Sequence, residues 1–325
     1  MQKQALITGI TGQDGYYLAR LLLSKGYEVF GMVHGQSHGR LESLRRDLPD
    51  LRVVRGDLLD LSSLLRALEL SDAAEVYNLG ALSFVGSSWA TATVTASVTG
   101  MGVLNLLEAV RLRCGEDVKR IRFYQASSSE IFGRAREVPQ SESTPFWPRS
   151  PYGVAKTFGH YMTVNYRESY GLHASSGILF NHESPRRGPE FVTRKVSQGV
   201  SRMALGLQDR IVLGNLDARR DWGFAGDYVE AMWLMLQQPD PDDYVIATGR
   251  QKSVRELLDV AFACVGVDDW TDLVVVDEEN VRPAEVDSLI GDASKAEDRL
   301  AWRPKMSFEE LIRLMVESDL AKLKA

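Results

Sequence analysis

From Gln4 onward, short apolar runs alternate with longer segments in which apolar residues recur every three or four positions. The short runs read as strands near Ala5–Thr8, Glu28–Val33, Leu51–Val54, Ala74–Leu79, Ile121–Ala126 and His173–Phe180. The amphipathic segments between them read as helices, clearest at Tyr16–Ser24, Ser62–Leu70, Gly100–Arg111 and Tyr152–Tyr170, the last stopped by the turn-forming Gly171. This alternation predicts an α/β fold: a Rossmann-type doubly wound parallel sheet with helices on both faces.

After Asn181 the texture changes to a polar, proline-bounded stretch, His182-Glu183-Ser184-Pro185-Arg186-Arg187-Gly188-Pro189, which reads as a long loop or domain crossing. Beyond it, strands are expected at Ile211–Leu213, Tyr244–Ala247 and Leu273–Val276, and helices at Tyr228–Leu236, Val254–Cys264 and Phe308–Leu323. The resulting division is a dinucleotide-binding domain over residues 1–181, rejoined by about 220–248, and a smaller α/β substrate-binding domain over 182–219 and 249–325.

Composition narrows the class. The 325 residues are 44% hydrophobic and 25% charged, and 38 basic against 44 acidic side chains give a net charge of −6. That balance argues against bulk attraction to nucleic acid or an anionic membrane, so an anionic ligand must meet local positive charge. Two cysteines, Cys114 and Cys264, are too few for a disulfide framework or a multi-cysteine zinc site, and they read as buried free thiols. With no apolar signal core, and with later apolar runs read as interrupted short of the ~18 residues a span needs, a cytoplasmic protein is expected.

Gly9-Ile10-Thr11-Gly12-Gln13-Asp14-Gly15 follows the first strand and opens the first helix, so its backbone N–H groups can hold a pyrophosphate. The Gly-x2-Gly-x2-Gly spacing alone arises by chance about 0.2 times in such a chain, and its place between strand and helix gives it weight. A dinucleotide fold selective for NAD usually ends its second strand in a carboxylate. Here that strand ends in His34-Gly35-Gln36 with Arg40 nearby, which favours NADP. His34 and His38 stand four apart, but the intervening glycines argue against a metal-binding helix face, and no metal is expected.

Tyr152 and Lys156 lie one turn apart at the start of a helix, an arrangement in which an ammonium lowers a phenol's pKa and makes it a general base. Ser127-Ser128-Ser129-Glu130 follows the strand Ile121–Ala126, at the edge where open parallel sheets place ligands. Its hydroxyls can orient a substrate OH, and Glu130 would be a second proton-transfer group that simple alcohol oxidation does not require.

Together, Thr8–Gly15, the Ser-x-Glu cluster and Tyr-x3-Lys resemble the extended short-chain dehydrogenase/reductases. More narrowly, Gln125–Gly133, Pro148–Tyr152, Asn165–Gly171, Ile178–Gly188 and Arg220-Asp221-Trp222-Gly223 are similar to the GDP-mannose 4,6-dehydratase family nearly end to end. The resemblance implies conversion of GDP-D-mannose to GDP-4-dehydro-6-deoxy-D-mannose and water, with bound NADP returned unchanged. It implies Ser128, Glu130, Tyr152 and Lys156 as catalytic residues. By position, Gly9, Thr11, Gly12, Gln13, Asp14, Gly15, Arg40, Asp57, Leu58, Leu79, Gly80, Ala81, Ser83, Lys156, His182 and Arg187 would contact the cofactor. Ser83, Asn181, Lys195, Arg220, Arg282 and Glu285, with Ser128, Glu130 and Tyr152, would contact the GDP-sugar. A homo-oligomer, dimer or tetramer, is the implied assembly.

The chain departs from the family's pattern in two places. His34-Gly35-Gln36-Ser37 stands where many members carry an Arg-Arg-Ser stretch that grips the 2′-phosphate and reaches a neighbouring subunit, and Val94 replaces a frequent aromatic. The alternatives are an epimerase or 4-ketosugar reductase on the same scaffold, or a catalytically silent NADP-binding protein. Glu130 discriminates against the first pair, which need no base for C5, and the intact Tyr152 and Lys156 against the last.

Overall fold

The computed structural model describes residues 2–35, 38–277 and 289–324. The chain opens β1 (Gln4–Thr8), α1 (Gln13–Ser24), β2 (Glu28–Val33), α2 (His38–Asp47), β3 (Arg52–Arg55), α3 (Leu61–Ser71) and β4 (Glu75–Asn78). It continues with α4 (Ala92–Thr95), α5 (Gly102–Cys114), β5 (Arg122–Ala126), α6 (Pro151–Tyr170), β6 (His173–Leu179) and β7 (Asn181–Glu183). Then come α7 (Val192–Ala204), β8 (Ile211–Leu213), β9 (Arg219–Phe224), α8 (Ala225–Gln237), β10 (Asp243–Ile246) and β11 (Gln251–Ser253). The last elements are α9 (Val254–Ala263), β12 (Val274–Val276), α10 (Ser294–Leu300) and α11 (Phe308–Lys324).

Seven strands form one sheet in the order β10-β6-β5-β4-β1-β2-β3, every neighbouring pair parallel. The direction of winding reverses between β1 and β4, and the crevice at such a reversal is where open α/β sheets bind ligands. One face is covered by α1, α2 and α8, whose Leu18, Leu22, Leu44, Met232 and Met235 share a core with Ile7 and Val29. The other is covered by α3, α5 and α6, whose Leu64, Leu68, Leu106, Val110 and Tyr166 pack on Leu6, Val76 and Phe123. A separate core, built from Val196, Val200, Trp222, Leu257, Phe262, Ile312 and Met315, joins α7, α9 and α11 to β8 and β9. Around it lie a three-stranded sheet, β11-β9-β7, and a two-stranded one, β12-β8.

The chemistry of the ends fixes where α6 begins and stops. Ser150 caps it by accepting from Gly153 N at 3.0 Å, Pro151 occupies the first turn where no N–H is needed, and Gly171 ends it at φ 70°.

Several expectations need correction. The polar stretch after Asn181 begins as strand β7, paired parallel with β9. Helices α2, α7 and α10 and strands β9 and β11 had no sequence signal in our reading. The helix expected at Gly100–Arg111 is preceded by α4 and a π-helical turn over Ala96–Met101, because the threonine- and valine-rich stretch there has poor intrinsic helix propensity and is held by packing against α6. The continuous helix Ala92–Cys114 is long and apolar enough to cross a membrane by length and composition, contrary to the reading that every apolar run is interrupted. Half of its apolar window is buried in the fold, between α3 and α6. Cys114 is a buried free thiol as expected, but Cys264 is only half-buried.

Candidate active site

The glycine-rich turn crosses from β1 to α1 with Gly12 N donating to Gly9 O at 3.0 Å. Gly9 sits at φ +67°, and a Cβ there would lie 2.8 Å from Gly80 N; one on Gly15 would lie 2.6 Å from Gly9 O. Only glycine fits either position. The N-cap of α1 is Gly12, which offers no side-chain oxygen, so the first-turn amides are left for an anion in the cleft. This cradle fits a dinucleotide diphosphate, and Arg40 and Arg187 add positive charge to the same cleft wall.

Asp14 and His182 close the turn against β7. His182 Nε2 lies 2.8 Å from Asp14 Oδ2, while Gln13 Nε2 donates to His182 O at 2.9 Å and Ser184 Oγ donates to Gln13 Oε1 at 2.7 Å. Burial alone would raise the Asp14 carboxyl and lower the His182 imidazole, but their mutual attraction wins. Asp14 is held below the ordinary carboxylate range and His182 above the ordinary imidazole value. His182 also stacks on Tyr228 at 4.7 Å.

The proton-transfer groups stand at the C-terminal end of β5 and the first turns of α6. Gly153 makes this possible: a Cβ there would meet Glu130 O at 2.7 Å, so only a glycine lets α6 lie against the Ser129–Ile131 turn. Ser128 Oγ accepts from Glu130 N at 3.3 Å and also hydrogen-bonds the Tyr152 phenol. Lys156 Nζ donates to Ala126 O at 2.7 Å and lies 5.7 Å from the Tyr152 ring centre.

The electrostatics differ from the sequence reading. Burial pushes Tyr152 up to about 12, with the Ser128 hydrogen bond opposing and the Glu130 charge reinforcing, and burial pushes Lys156 down to about 8. Desolvation of the phenol outweighs the neighbouring charges here. At neutral pH Lys156 therefore keeps its charge and Tyr152 its proton.

One cleft is lined by the candidate groups from both halves of the chain. From the turn come Gly9, Thr11, Gly12, Gln13, Asp14 and Gly15, with Arg40 from α2. The segment after β4 gives Leu79, Ala81 and Ser83, and β5 and α6 give Ser128, Glu130, Tyr152 and Lys156. Asn181, His182, Arg187 and Arg220 complete the wall. Gly80 and Leu58 lie just behind it, Leu58 Cδ1 falling 3.0 Å from where a Gly80 Cβ would stand. Asp57, at the adjoining rim, lies 3.2 Å from His34 Nε2. Lys195 departs from expectation: it is exposed on α7 and is not among the lining residues, one turn beyond Phe191, which is. Arg282 and Glu285, with Gln36 and Ser37, lie outside the described residues.

Sequence reasoning missed Val85 and Phe191 in the wall and Glu183 behind it. Glu183, buried in β7, accepts from Thr193 Oγ1 at 2.5 Å and holds Arg187 Nε at 3.0 Å, while the Arg187 guanidinium lies 3.5 Å from the Phe191 ring centre. Spacing gives no signal for this pair, because four-residue neighbours meet on helices and the segment from Glu183 to Arg187 runs from β7 into a turn.

A family model described as GDP-mannose 4,6 dehydratase matches residues 6–315. GDP-mannose 4,6 dehydratase 1 of Arabidopsis thaliana is 52% identical over 99% of this chain and 91% of its own length. The chain belongs to this family. The GDP-mannose 4,6 dehydratase of Homo sapiens is 48% identical over 98% of this chain and 92% of its own. Among solved structures, a UDP-glucose 4-epimerase of Thermotoga maritima superposes with a TM-score of 0.86 at 26% identity, covering 98% of this chain and 99% of that one. A dTDP-glucose 4,6-dehydratase of Bacillus anthracis gives 0.84 at 20% identity over 99% and 98%. Epimerase and dehydratase thus share the fold, and family membership carries the distinction between them.

Proposed function

We propose that the chain is an NADP-dependent GDP-mannose 4,6-dehydratase, a hydro-lyase that makes GDP-4-dehydro-6-deoxy-D-mannose and water. The observation that carries the reading is the presence of Glu130 in the same cleft wall as Ser128, Tyr152 and Lys156. A carboxylate beside a Tyr/Lys pair serves no purpose in a simple alcohol oxidation and is what removal of a C5 proton requires.

Bound NADP would supply the hydride chemistry, accepting hydride from C4 of the sugar and giving it back at C6, and its positive charge would favour the ionised phenol. Tyr152 takes the O4 proton, with Ser128 holding O4 through its hydroxyl. Lys156, charged at neutral pH, holds the ribose hydroxyls and supports the developing phenolate. The ketone at C4 acidifies C5–H, and Glu130 takes that proton. Of the two protons so collected, one leaves with the C6 hydroxyl as water and the other returns to C5. Gly9, Gly12, Gln13 and Asp14 present the turn to the cofactor diphosphate, with Leu79, Gly80, Ala81 and Ser83 along its path and Asp57 and Leu58 at the adenine end. Arg40 would take the 2′-phosphate, and His182 and Arg187, in the same cleft wall, would also hold the cofactor. Asn181 and Arg220 take the GDP-sugar, Arg220 as a fork for phosphate oxygens; Lys195, Arg282 and Glu285 are assigned there by position in the family alone.

The all-around division into a dinucleotide domain and a smaller substrate domain is our reading of the separate cores. A homo-oligomer follows from the exposed apolar side chains Val94, Met101, Val154, Phe158 and Tyr161 on α4 to α6, where a second copy would bury them; light scattering showing a monomer at micromolar concentration would remove it.

The purified chain should convert GDP-mannose to a 4-keto product with loss of water, and absence of product with NADP bound would sink the reading. Glu130→Gln should still reduce bound NADP with substrate yet release 6-deoxy product at least about 10²-fold more slowly; dehydration at the parent rate would remove Glu130 from its role.

A further inference from the structure

A buried chain of hydrogen bonds crosses the C-terminal ends of β1, β4 and β5 and finishes at Lys156. Thr8 Oγ1 accepts from Leu79 N at 3.1 Å and Gly80 N at 2.9 Å, and donates to Asn78 Oδ1 at 2.7 Å. Asn78 Nδ2 donates to Gln125 Oε1 at 2.8 Å, and Gln125 Nε2 donates to Ala126 O at 3.0 Å. Lys156 Nζ donates to that same oxygen at 2.7 Å. Thr8, Asn78 and Gln125 are each at most 1% exposed, and every link is satisfied in one direction only, so neither amide can turn over without orphaning a partner.

We propose that Gln125 is a positioning residue for Lys156, acting through the Ala126 carbonyl that both side chains share. The proposal deepens the reading of Lys156 as a member of the catalytic set and rests on it. An ammonium buried to this degree depends on the few dipoles that face it. The Ala126 carbonyl is the acceptor its proton reaches, and Gln125 takes part of that oxygen's accepting capacity while pinning its direction. The other charged groups around the site are Asp14 on α1, which favours the ammonium, and Glu130 and Arg187, which act on Tyr152; His182 is paired with Asp14. Gln125 is thus the uncharged control on a lysine whose proton the chemistry needs, and the opposite end of the chain, Thr8, holds the backbone that passes Gly9 and Gly80 behind the cofactor cradle.

The test measures the pH at which Lys156 becomes reactive, by competitive amine labelling of the full chain with peptide-resolved mass spectrometry, in parallel with thermal melting. In the parent, half-reactivity should fall near pH 8, where burial places Lys156. Gln125→Glu, nearly the same shape, brings a carboxylate to the shared carbonyl and should move that midpoint up by about one pH unit, with the alkaline limb of turnover moving alike. Gln125→Met removes the competing donor and should move it up by less. Should either variant fail to fold, the other decides, and Thr8→Val, which deletes only the distant hydroxyl, should shift the midpoint in a folded protein least of the three. A lowered melting temperature with an unmoved midpoint in the folded variants overturns the proposal, leaving Gln125 a core-filling residue. Labelling needs no substrate, so a shifted midpoint without dehydratase product would remove the proposed function and leave the positioning role standing.

Discussion

The two ends of the central sheet bury nearly the same side chains to different ends. At its N-terminal edge Glu75, 1% exposed, accepts from Tyr27 and Gln237 at 3.1 Å, from Tyr77 at 2.8 Å and from Lys3 at 3.4 Å. At its C-terminal edge Tyr152, Lys156, Glu130 and Ser128 stand around a cleft. Both sets hold a tyrosine pushed up by burial, Tyr77 well above its ordinary value and Tyr152 to about 12. At the first end a carboxylate, two phenols, an amide and an amine satisfy one another. At the second, the groups face a space that a substrate can fill. Residue type is common to both, and Lys156, Tyr152 and Ser128 also have partners within the chain; what sets the second end apart is the cleft that these groups line, where a ligand can add a further partner.

Paired phenylalanine substitutions break or sharpen this comparison most directly. Tyr152→Phe should lower kcat by about 10²–10⁴-fold, because it removes the proton-transfer group while leaving the ring in place. Its stability to denaturant should fall by no more than about 1 kcal/mol, the loss of one hydrogen bond to Ser128, which faces the cleft. Tyr77→Phe should do the reverse: turnover unchanged and stability lower by about 1 kcal/mol, since Glu75 loses one of its donors in a dry site. If Tyr77→Phe reduced turnover at full stability, the separation of the two ends would fail.

The sheet was legible because most of its strands are apolar runs bounded by turn residues, and all seven begin and end within one residue of where the pattern puts them. So was the core of the site: Gly9, Gly12, Tyr152 and Lys156 carry their chemistry in spacing, and Ser128 and Glu130 in their place after a strand. What stayed hidden was short or polar. β7, β9 and β11 each run three to six residues; β7 and β9 bury charged side chains, Glu183, Arg220 and Asp221, and β11 is the polar Gln251-Lys252-Ser253, so neither length nor hydrophobicity marks them. The charge state of Tyr152 was misread because spacing reports neighbours and not desolvation, and here desolvation is the larger effect. Lys195 rests on family position alone: it is exposed on α7, one turn beyond the lining residue Phe191.

The Asp14–His182 pair is the intermediate case, lining the cleft yet satisfied from within, and it tests which property matters. Asp14 has a depressed folded-state pKa, so its contribution is present above its unfolded value and is lost as pH falls through the lower folded one. His182 has a raised folded-state pKa, so its contribution is complete below the ordinary imidazole value and is lost as pH rises through the higher folded one. The pair therefore stabilises most between the carboxylate range and the imidazole range, near pH 5–6. Asp14→Asn keeps the shape and removes the charge, so it should cost about 1 kcal/mol there, with the difference from the parent shrinking above neutral pH as His182 loses its proton. Denaturation at several pH values reads this out. If internal partnership decides the role, the stability loss should exceed the loss of NADP affinity; a variant as stable as the parent across the range but weak for NADP would assign Asp14 to the ligand instead, and place the boundary between core and site one residue pair deeper in the fold.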